Sequence, residues 1–251
     1  MNLFEREKQW LLEEKYTGTE SPDFFADVER LKAGAPLAYL IGTIPFLGTT
    51  IHLNSKPLIP RPETEYFVDY FLKKEIKQGE NYTVLDLCAG SGCIGIAILY
   101  NNPYTHVDFG ELKKKHIQQI LENLHKNTIS NERYKTFTSD MFESIPYKRY
   151  DHIIANPPYI SKDRKDTVQT SVLEHEDFDA LFAEEEGLFF IKKIIREGKQ
   201  YLKKNGSLFI EFDPWQKNDI EQYALSQNST PSFIQDQYNL QRFVKIQYKN
   251  H

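Results

Sequence analysis

The sequence of 251 residues predicts an α/β protein built around a mostly parallel β-sheet. Three observations indicate this fold class. From residue 81 onward, short apolar runs alternate with amphipathic helical segments, as they do in βαβ units. The first run ends in a glycine-rich turn that leads directly into a helix. The last two runs, SFIQDQ and RFVKIQY, have no helix between them and therefore predict a C-terminal antiparallel hairpin.

The region before this sheet is short and of a different kind. Residues 1–38 predict two or three short helices, one of which starts at the N-cap residue Ser21. Residues 39–60 mix β-branched and aromatic residues with turn residues, and so predict a β-hairpin. We therefore expect a small helical segment over 1–38, a hairpin linker over 39–60 and a main domain over 61–251.

Seven strands are expected in the main domain. The predicted elements, in order, are the helix RPETEYFVDYFLKKEIKQG, the strand in YTVLDLCAG, the helix CIGIAILYNN, the strand HVDFGE, the helix LKKKHIQQILENLHKN, the strands YKTFTSDMF and YDHIIANPP, the helix EGLFFIKKIIREGKQYLKKNG, the strand SLFIEFD, the helix QKNDIEQYALSQ and the two strands of the hairpin. Gly206 is expected to end the longest of these helices.

Composition excludes several classes of protein. Lys and Arg number 31 and Asp and Glu 36, and the net charge of −5 argues against a surface that grips nucleic acid. The two cysteines, Cys88 and Cys93, lack the spacing of a zinc site, so we expect reduced thiols and no metal. We found neither a signal-peptide core nor an apolar run near the ~18 residues of a membrane span. We expect a cytoplasmic monomer that does not bind a membrane.

The segment VLDLCAGSGCIGIAI reads as a strand, a glycine turn and a helix. Such a turn lets a ligand approach the backbone closely and offers it the N–H groups and dipole of the helix start. It suits a dinucleotide or another adenosine ligand, and it is not a P-loop because the Lys-Ser/Thr pair is absent. The residues predicted to contact the ligand here are Asp86, Cys88, Ala89, Gly90, Ser91 and Gly92.

Acidic residues follow the next two strands. Glu111, which ends HVDFGE, is our candidate for accepting hydrogen bonds from ribose hydroxyls. Asp108 is the competing candidate, but strand alternation puts it on the opposite face. Asp140 follows the third strand and could accept from an adenine amino group, with Met141 or Phe142 against the ring; a simple turn-forming Asp is the alternative.

The fourth strand ends in Asn-Pro-Pro-Tyr, beside the glycine loop. Asn156 has an oxygen that accepts, and Pro157 keeps its carbonyl but has no N–H, so two acceptors lie close together. Pro158 stiffens the turn and Tyr159 supplies a flat face. The four residues predict a site for a planar –NH2 group, either an amide or the exocyclic amine of a base.

Such a nitrogen is a poor nucleophile because its lone pair is delocalised. Acceptors on both N–H groups favour the charge that builds on nitrogen in the transition state, and alignment with an electrophilic methyl lowers the barrier further. On this argument the adenosine ligand is S-adenosylmethionine. We assign Asn156, Pro157 and Tyr159 to catalysis, and all four residues of the turn to substrate binding.

In this order, the glycine loop, Glu111, Asp140 and NPPYI resemble a Rossmann-like class I S-adenosylmethionine-dependent methyltransferase. The resemblance to the glutamine N5-methyltransferases, which modify the Gly-Gly-Gln motif of peptide chain release factors, is closer still. It runs from about residue 31 to residue 244 and rests on PLAYLIG, PFLG, LIPRPETE, VLEHEDFDALFAEEEGL, GSLFIEFDPWQ and QDQYNLQRFV. Of these, PRPETE and the EHEDFDALF segment are the most specific.

The resemblance implies that Asn156 and Pro157 hold the glutamine amide and that Tyr159 packs on it. It also implies cofactor contacts at residues 88–92, at Glu111 and at Asp140 and Met141, with residues 61–64 near the pocket. The chain departs from the family at Cys88, which replaces the first loop glycine, and at Asp177, which stands where the family usually has proline. Its N-terminal helical segment, which in the family helps to grip the release factor, is short.

Other functions compete with this one. A nucleic-acid N-methyltransferase would use the same loop on a flipped base. Ribosomal protein uL3 is another glutamine substrate of the family. A third hypothesis, an adaptor that only binds the cofactor, disagrees with the intact Asn-Pro-Pro-Tyr.

Overall fold

The computed structural model describes residues 2–77 and 79–249. Its main sheet confirms the predicted fold class: seven strands are mostly parallel, and the last two run antiparallel. Among the described residues, no helix is both long and apolar enough to cross a membrane.

The described residues form helices and strands with the following bounds. The helices are α1 (Leu3–Glu14), α2 (Pro22–Lys32), α3 (Leu37–Ile41), α4 (Pro62–Lys74), α5 (Cys93–Asn101), α6 (Lys114–Lys126), α7 (Thr170–His175), α8 (Phe189–Gly198) and α9 (Lys217–Ser226). The strands are β1 (Thr43–Phe46), β2 (Thr49–His52), β3 (Thr83–Leu87), β4 (His106–Glu111), β5 (Tyr134–Thr138), β6 (Tyr150–Ala155), β7 (Ile160–Ser161), β8 (Phe182–Ala183), β9 (Leu202–Glu211), β10 (Ser229–Gln235) and β11 (Gln241–Tyr248).

The main sheet has the order β10-β11-β9-β6-β3-β4-β5. The chain leaves β3 toward β4 and β5 and then crosses to β6 on the other side of β3. The switch point, where open α/β sheets bind ligands, therefore lies between β3 and β6. The parallel register pairs Leu87 with Ala155, so Cys88 and Asn156 leave the sheet side by side.

Alternating residues of β3 face two apolar cores. Val84 packs in the core that α4, α5 and α6 cover, and Leu85 packs in the core beneath α8 and α9. Both side chains are fully buried, as expected for a strand in the centre of a doubly covered sheet. The central strands are thereby fixed, and the loops at their carboxyl ends are held in place.

The N-terminal helices have a small core of their own, which includes Leu11, Phe24 and Leu40. The predicted N-cap at Ser21 is confirmed, because its hydroxyl accepts a hydrogen bond from the Phe24 N–H. The predicted hairpin is also present as β1 and β2, which pair antiparallel.

The prediction that Gly206 ends a long helix is wrong. Helix α8 ends at Gly198, and β9 begins at Leu202 after one 3₁₀ turn. Leu202 is fully buried opposite Tyr150, so pairing within the sheet outweighs the local helical preference of the sequence. Gly206 instead lies within the strand, where an added Cβ would come within 3.0 Å of the Asp151 carbonyl oxygen.

Candidate active site

Loops from four parallel strands enclose a cavity of about 300 Å³ at the switch point of the sheet. Its wall includes seven of the nine residues predicted to contact a cofactor, together with Asn156 and Pro158 from the Asn-Pro-Pro-Tyr turn. The seven are Cys88, Ala89, Gly90, Ser91, Glu111, Asp140 and Met141. We call this space the first cavity.

Two non-glycine residues on its wall have left-handed backbone, Cys88 with φ of 61° and Met141 with φ of 51°. Their sulfur atoms lie 3.6 Å apart, so the loops after β3 and β5 touch here. Left-handed backbone normally favours glycine, so Cys88 adopts a conformation that is unusual for a residue with a side chain. Burial raises the pKa of the Cys88 thiol, which keeps it protonated at neutral pH.

Asp86 and Gly92 do not line the first cavity, although both were predicted to contact a cofactor. Gly92 starts α5 with φ of 80° and packs so closely on α6 that an added Cβ would lie 3.0 Å from Ile120. Asp86 is fully buried; its Oδ2 accepts from the Gly95 N–H at 2.9 Å, and its Oδ1 has no partner in the described chain. Burial raises the pKa of Asp86 to about 8, so the carboxyl is largely protonated at pH 7.

Glu111 lies at the carboxyl end of β4 and is only 8% exposed. Its two oxygens accept from the N–H groups of Gly90 and Lys113, each at 2.9 Å. Burial raises the pKa of this carboxyl, and those two N–H donors oppose the rise. Asp108, the competing candidate, faces away from the cavity and accepts from the Tyr150 hydroxyl at 2.8 Å.

A second cavity, of about 560 Å³, adjoins the first. Asn156 lies on the wall of both cavities, whereas Pro157 and Tyr159 line only the second and Pro158 only the first. Within the described chain, neither the Asn156 amide nor the Pro157 carbonyl has a hydrogen-bond partner. Two unpaired acceptors therefore lie at the junction of two adjacent binding spaces.

The Tyr159 ring is held by a buried carboxylate that the sequence analysis missed. Glu211, 3% exposed at the end of β9, accepts from the Tyr159 hydroxyl at 3.0 Å and from the Thr64 hydroxyl at 2.7 Å. Burial raises the pKa of Glu211, while the two hydroxyl donors lower it. Gln216 stabilises the Asn-Pro-Pro-Tyr turn by donating a hydrogen bond to the Tyr159 carbonyl oxygen at 2.9 Å.

The segment between β7 and β8 forms a roof over the first cavity. Arg61 pairs with Glu176 at 2.6 Å, and Lys113 pairs with Asp177 at 2.5 Å and with Asp179 at 3.0 Å. Asp177 and Asp179 both line the cavity. The roof is thus held by ion pairs to the segment before α4 and to the loop after β4. The acidic run of this segment was visible in the sequence, but its partners were not.

Solved structures similar to this chain have methyltransferase folds. The catalytic domain of hMettl16, in complex with the MAT2A 3′UTR hairpin 1, has a TM-score of 0.64 and 15% identity over 80% of this chain and 75% of that one. The ribosomal protein L11 methylase from Lactobacillus delbrueckii subsp. bulgaricus has a TM-score of 0.56 and 15% identity over 78% of this chain and 83% of that one. The family model "Methyltransferase small domain" matches residues 64–177. Fold and matched domain define a class I methyltransferase.

Sequence relatives identify the family within this class of methyltransferases. The chain is 33% identical to the release factor glutamine methyltransferase of Thermodesulfovibrio yellowstonii, with 82% of this chain and 77% of the relative covered. It is 34% identical to the enzyme of the same name from Streptococcus pneumoniae, with 80% and 70% covered. The chain therefore belongs to the release factor glutamine methyltransferase family, as its motifs predicted.

Proposed function

We propose that this protein transfers a methyl group from S-adenosylmethionine to the side-chain amide nitrogen, N5, of the glutamine in the Gly-Gly-Gln motif of peptide chain release factors. Membership of the family supports the substrate class. One observation carries the chemistry: Asn156 and Pro157 present two unpaired acceptors where the two cavities meet.

The first cavity has the donor and acceptor groups that S-adenosylmethionine requires. Glu111 uses one lone pair of each oxygen on backbone N–H groups, which leaves acceptor capacity for the two ribose hydroxyls. Asp140 and Met141 offer an acceptor and an apolar surface for the adenine. When bound, the cofactor supplies an electrophilic methyl group on a sulfonium.

The second cavity fits the glutamine side chain. Oδ1 of Asn156 and the carbonyl oxygen of Pro157 accept hydrogen bonds from the two N–H groups of the substrate amide. Both acceptors stabilise the positive charge that develops on that nitrogen, and Pro157 is buried, where such interactions are stronger than in water. Because Asn156 also borders the first cavity, the same contacts orient the nitrogen toward it. Transfer would form the N–C bond as the methyl–sulfur bond breaks, with S-adenosylhomocysteine as the leaving group. The methylated amide would then release one N–H proton to water and become neutral.

Tyr159 positions the amide plane. Its ring borders the second cavity, and the hydrogen bond from its hydroxyl to the buried Glu211 restricts rotation of the ring. A flat, restrained surface favours one orientation of a planar group and reduces the entropy lost when the amide binds.

The test is methyl transfer from radiolabelled S-adenosylmethionine to a purified release factor. A release factor whose Gly-Gly-Gln glutamine is changed to alanine is the matched control, and Asn156→Ala is the enzyme control. We expect label on the wild-type factor alone, and mass spectrometry should place it on the glutamine side chain. Label on ribosomal protein uL3 or on nucleic acid, with none on the release factor, would contradict the proposal.

A further inference from the structure

Helix α6 carries a row of amide side chains along the face that meets the N-terminal hairpin. Gln119, Asn123 and Asn127 are four residues apart and thus lie on one side of the helix. We call these three residues the amide row. Asn123 is fully buried and Gln119 is 3% exposed, whereas Asn127, at the end of the helix, is half-buried.

The amide row contacts the free edge of β2. Asn127 accepts from the Thr50 N–H at 3.0 Å and donates to the Thr50 carbonyl oxygen at 2.9 Å. Asn123 contacts His52 in the same way, accepting at 2.8 Å and donating at 3.1 Å. The helix thereby replaces the neighbouring strand that this edge lacks.

Elementary geometry explains why these spacings match. Four residues of an α-helix rise about 6 Å, and two residues of a strand span about 6.6 Å. Asn127 and Asn123 therefore meet alternate residues of β2, whose backbone groups point to the same side, and Gln119 accepts from the Ser55 N–H just beyond the strand. A row of amides every four residues is suited to an edge strand for this reason.

Asn123 makes one further bond that Asn127 does not. Its Nδ2 also donates to the carbonyl oxygen of Ser91 at 3.0 Å. Ser91 belongs to the glycine loop, is 3% exposed and lines the first cavity. With this bond, both N–H groups and the oxygen of the Asn123 amide are used, and one side chain joins the hairpin to the loop.

We propose that Asn123 is a positioning residue that couples the N-terminal hairpin to the cofactor loop. Binding in the first cavity fixes the Ser91 carbonyl, which in turn fixes the Asn123 amide and the edge of β2. Because α3 runs directly into β1, the coupling extends to the helical segment that we expect to dock the protein substrate. Coupling of this kind is reciprocal, so docking on that segment strengthens cofactor binding by the same factor.

The inference rests on the proposed cofactor, and its test uses binding and hydrogen exchange, not turnover. Asn123→Asp keeps the acceptor for the His52 N–H but removes both donors and places a carboxylate oxygen against the Ser91 carbonyl. Asn127→Asp is the matched control, since it makes the same change against Thr50 with no bond to the glycine loop. Calorimetry with S-adenosylhomocysteine should give roughly tenfold weaker binding for Asn123→Asp. For Asn127→Asp we expect a change of less than about twofold.

Each outcome can be interpreted. Wild-type affinity in both variants would overturn the proposal, and so would an equal loss of affinity in both. If wild-type protein fails to bind S-adenosylhomocysteine, the proposed cofactor is wrong and the coupling fails with it. If wild-type protein binds S-adenosylhomocysteine, the proposed cofactor stands, and the two variants then test the coupling through Asn123 alone.

A second measurement needs no variant at Asn123, in case that change prevents folding. In wild-type protein, saturating S-adenosylhomocysteine should slow hydrogen exchange at the Thr50 and His52 amides. The slowing should exceed that at the amides of β10, which forms one edge of the main sheet, separate from the β1–β2 hairpin, and reports general stabilisation by the ligand. Hairpin amides that slow no more than those of β10 would refute the coupling.

Discussion

Replacing Asn156 with alanine should greatly reduce activity while the protein remains folded. The side chain is half-buried and has no hydrogen-bond partner within the described residues, so truncation breaks no internal polar contact. We expect the free energy of unfolding to fall by less than about 1 kcal/mol, as for substitutions that leave packing and buried polar groups intact. Affinity for S-adenosylhomocysteine should change little, because the glycine loop and Glu111 are untouched.

The loss of activity in Asn156→Ala should come from a higher free energy of the transition state. Removing one preorganised group that stabilises developing charge costs about 2.7–4 kcal/mol, or roughly 10²–10³ in kcat. Pro157 contributes its acceptor from the backbone and keeps it in the variant. The loss should therefore lie near the lower limit, about 10²-fold. Asn156→Asp keeps an oxygen at the same place, and should retain more activity than Asn156→Ala if acceptance by Oδ1 is what matters.

Single-turnover methyl transfer, calorimetry and thermal unfolding should be measured on the same preparations. Asn54→Ala is a suitable control, because Asn54 is exposed and makes only weak hydrogen bonds to Glu122, at 3.3 and 3.4 Å. An Asn156→Ala enzyme that transfers the methyl group at the wild-type rate would refute the role of the amide. A parallel drop in cofactor affinity would assign Asn156 to the first cavity alone.

Three further predictions concern other parts of the molecule. Glu111→Gln should weaken S-adenosylhomocysteine binding by about tenfold, with little change in kcat at saturating cofactor, because the new NH2 group opposes the Gly90 N–H; an equal loss in kcat would contradict it. Lys113→Met should weaken cofactor binding a few-fold and reduce its sensitivity to added salt, since the ion pair with Asp177 is lost while Arg61–Glu176 remains; a salt titration of affinity tests this. Burial lowers the pKa of His152 to about 4, so the unfolded chain binds a proton first as pH falls below about 6.5. Stability should drop by about 2 kcal/mol between pH 7.5 and pH 5 from this group, and urea unfolding of His152→Leu should show a smaller drop.

Local signals account for the parts of the site that the sequence predicted. Gly90, Asn156 and Pro157 interrupt apolar runs, and such interruptions mark the ends of buried strands. Strand alternation and the position of Glu111 at the carboxyl end of its strand together favoured Glu111 over Asp108, and of the two only Glu111 lies on the cavity wall. These inferences need no knowledge of distant parts of the chain.

The residues that sequence reasoning missed are held by partners far away in the chain. Thr64 and Glu211 are separated by 147 positions, and Arg61 and Glu176 by 115. Spacing and periodicity carry no information about such pairs, which form only after the sheet has assembled. The error at Gly206 has the same origin, since pairing of β9 with β6 decides where α8 ends.

The long-range pairs also connect the two segments that the sequence analysis took as most specific, PRPETE and EHEDFDALF. The glycine loop and Glu111 line the first cavity, which we propose for the cofactor. Arg61, in contrast, lines both cavities and pairs with Glu176, whose side chain is only 1% exposed. One turn further along α4, Thr64 binds the carboxylate that restrains Tyr159. The PRPET segment and the acidic segment after the Asn-Pro-Pro-Tyr turn thus contribute to the walls around Asn156. Substitution of Glu211, which lines only the second cavity and holds the Tyr159 hydroxyl, should change discrimination among amide substrates before it changes cofactor affinity.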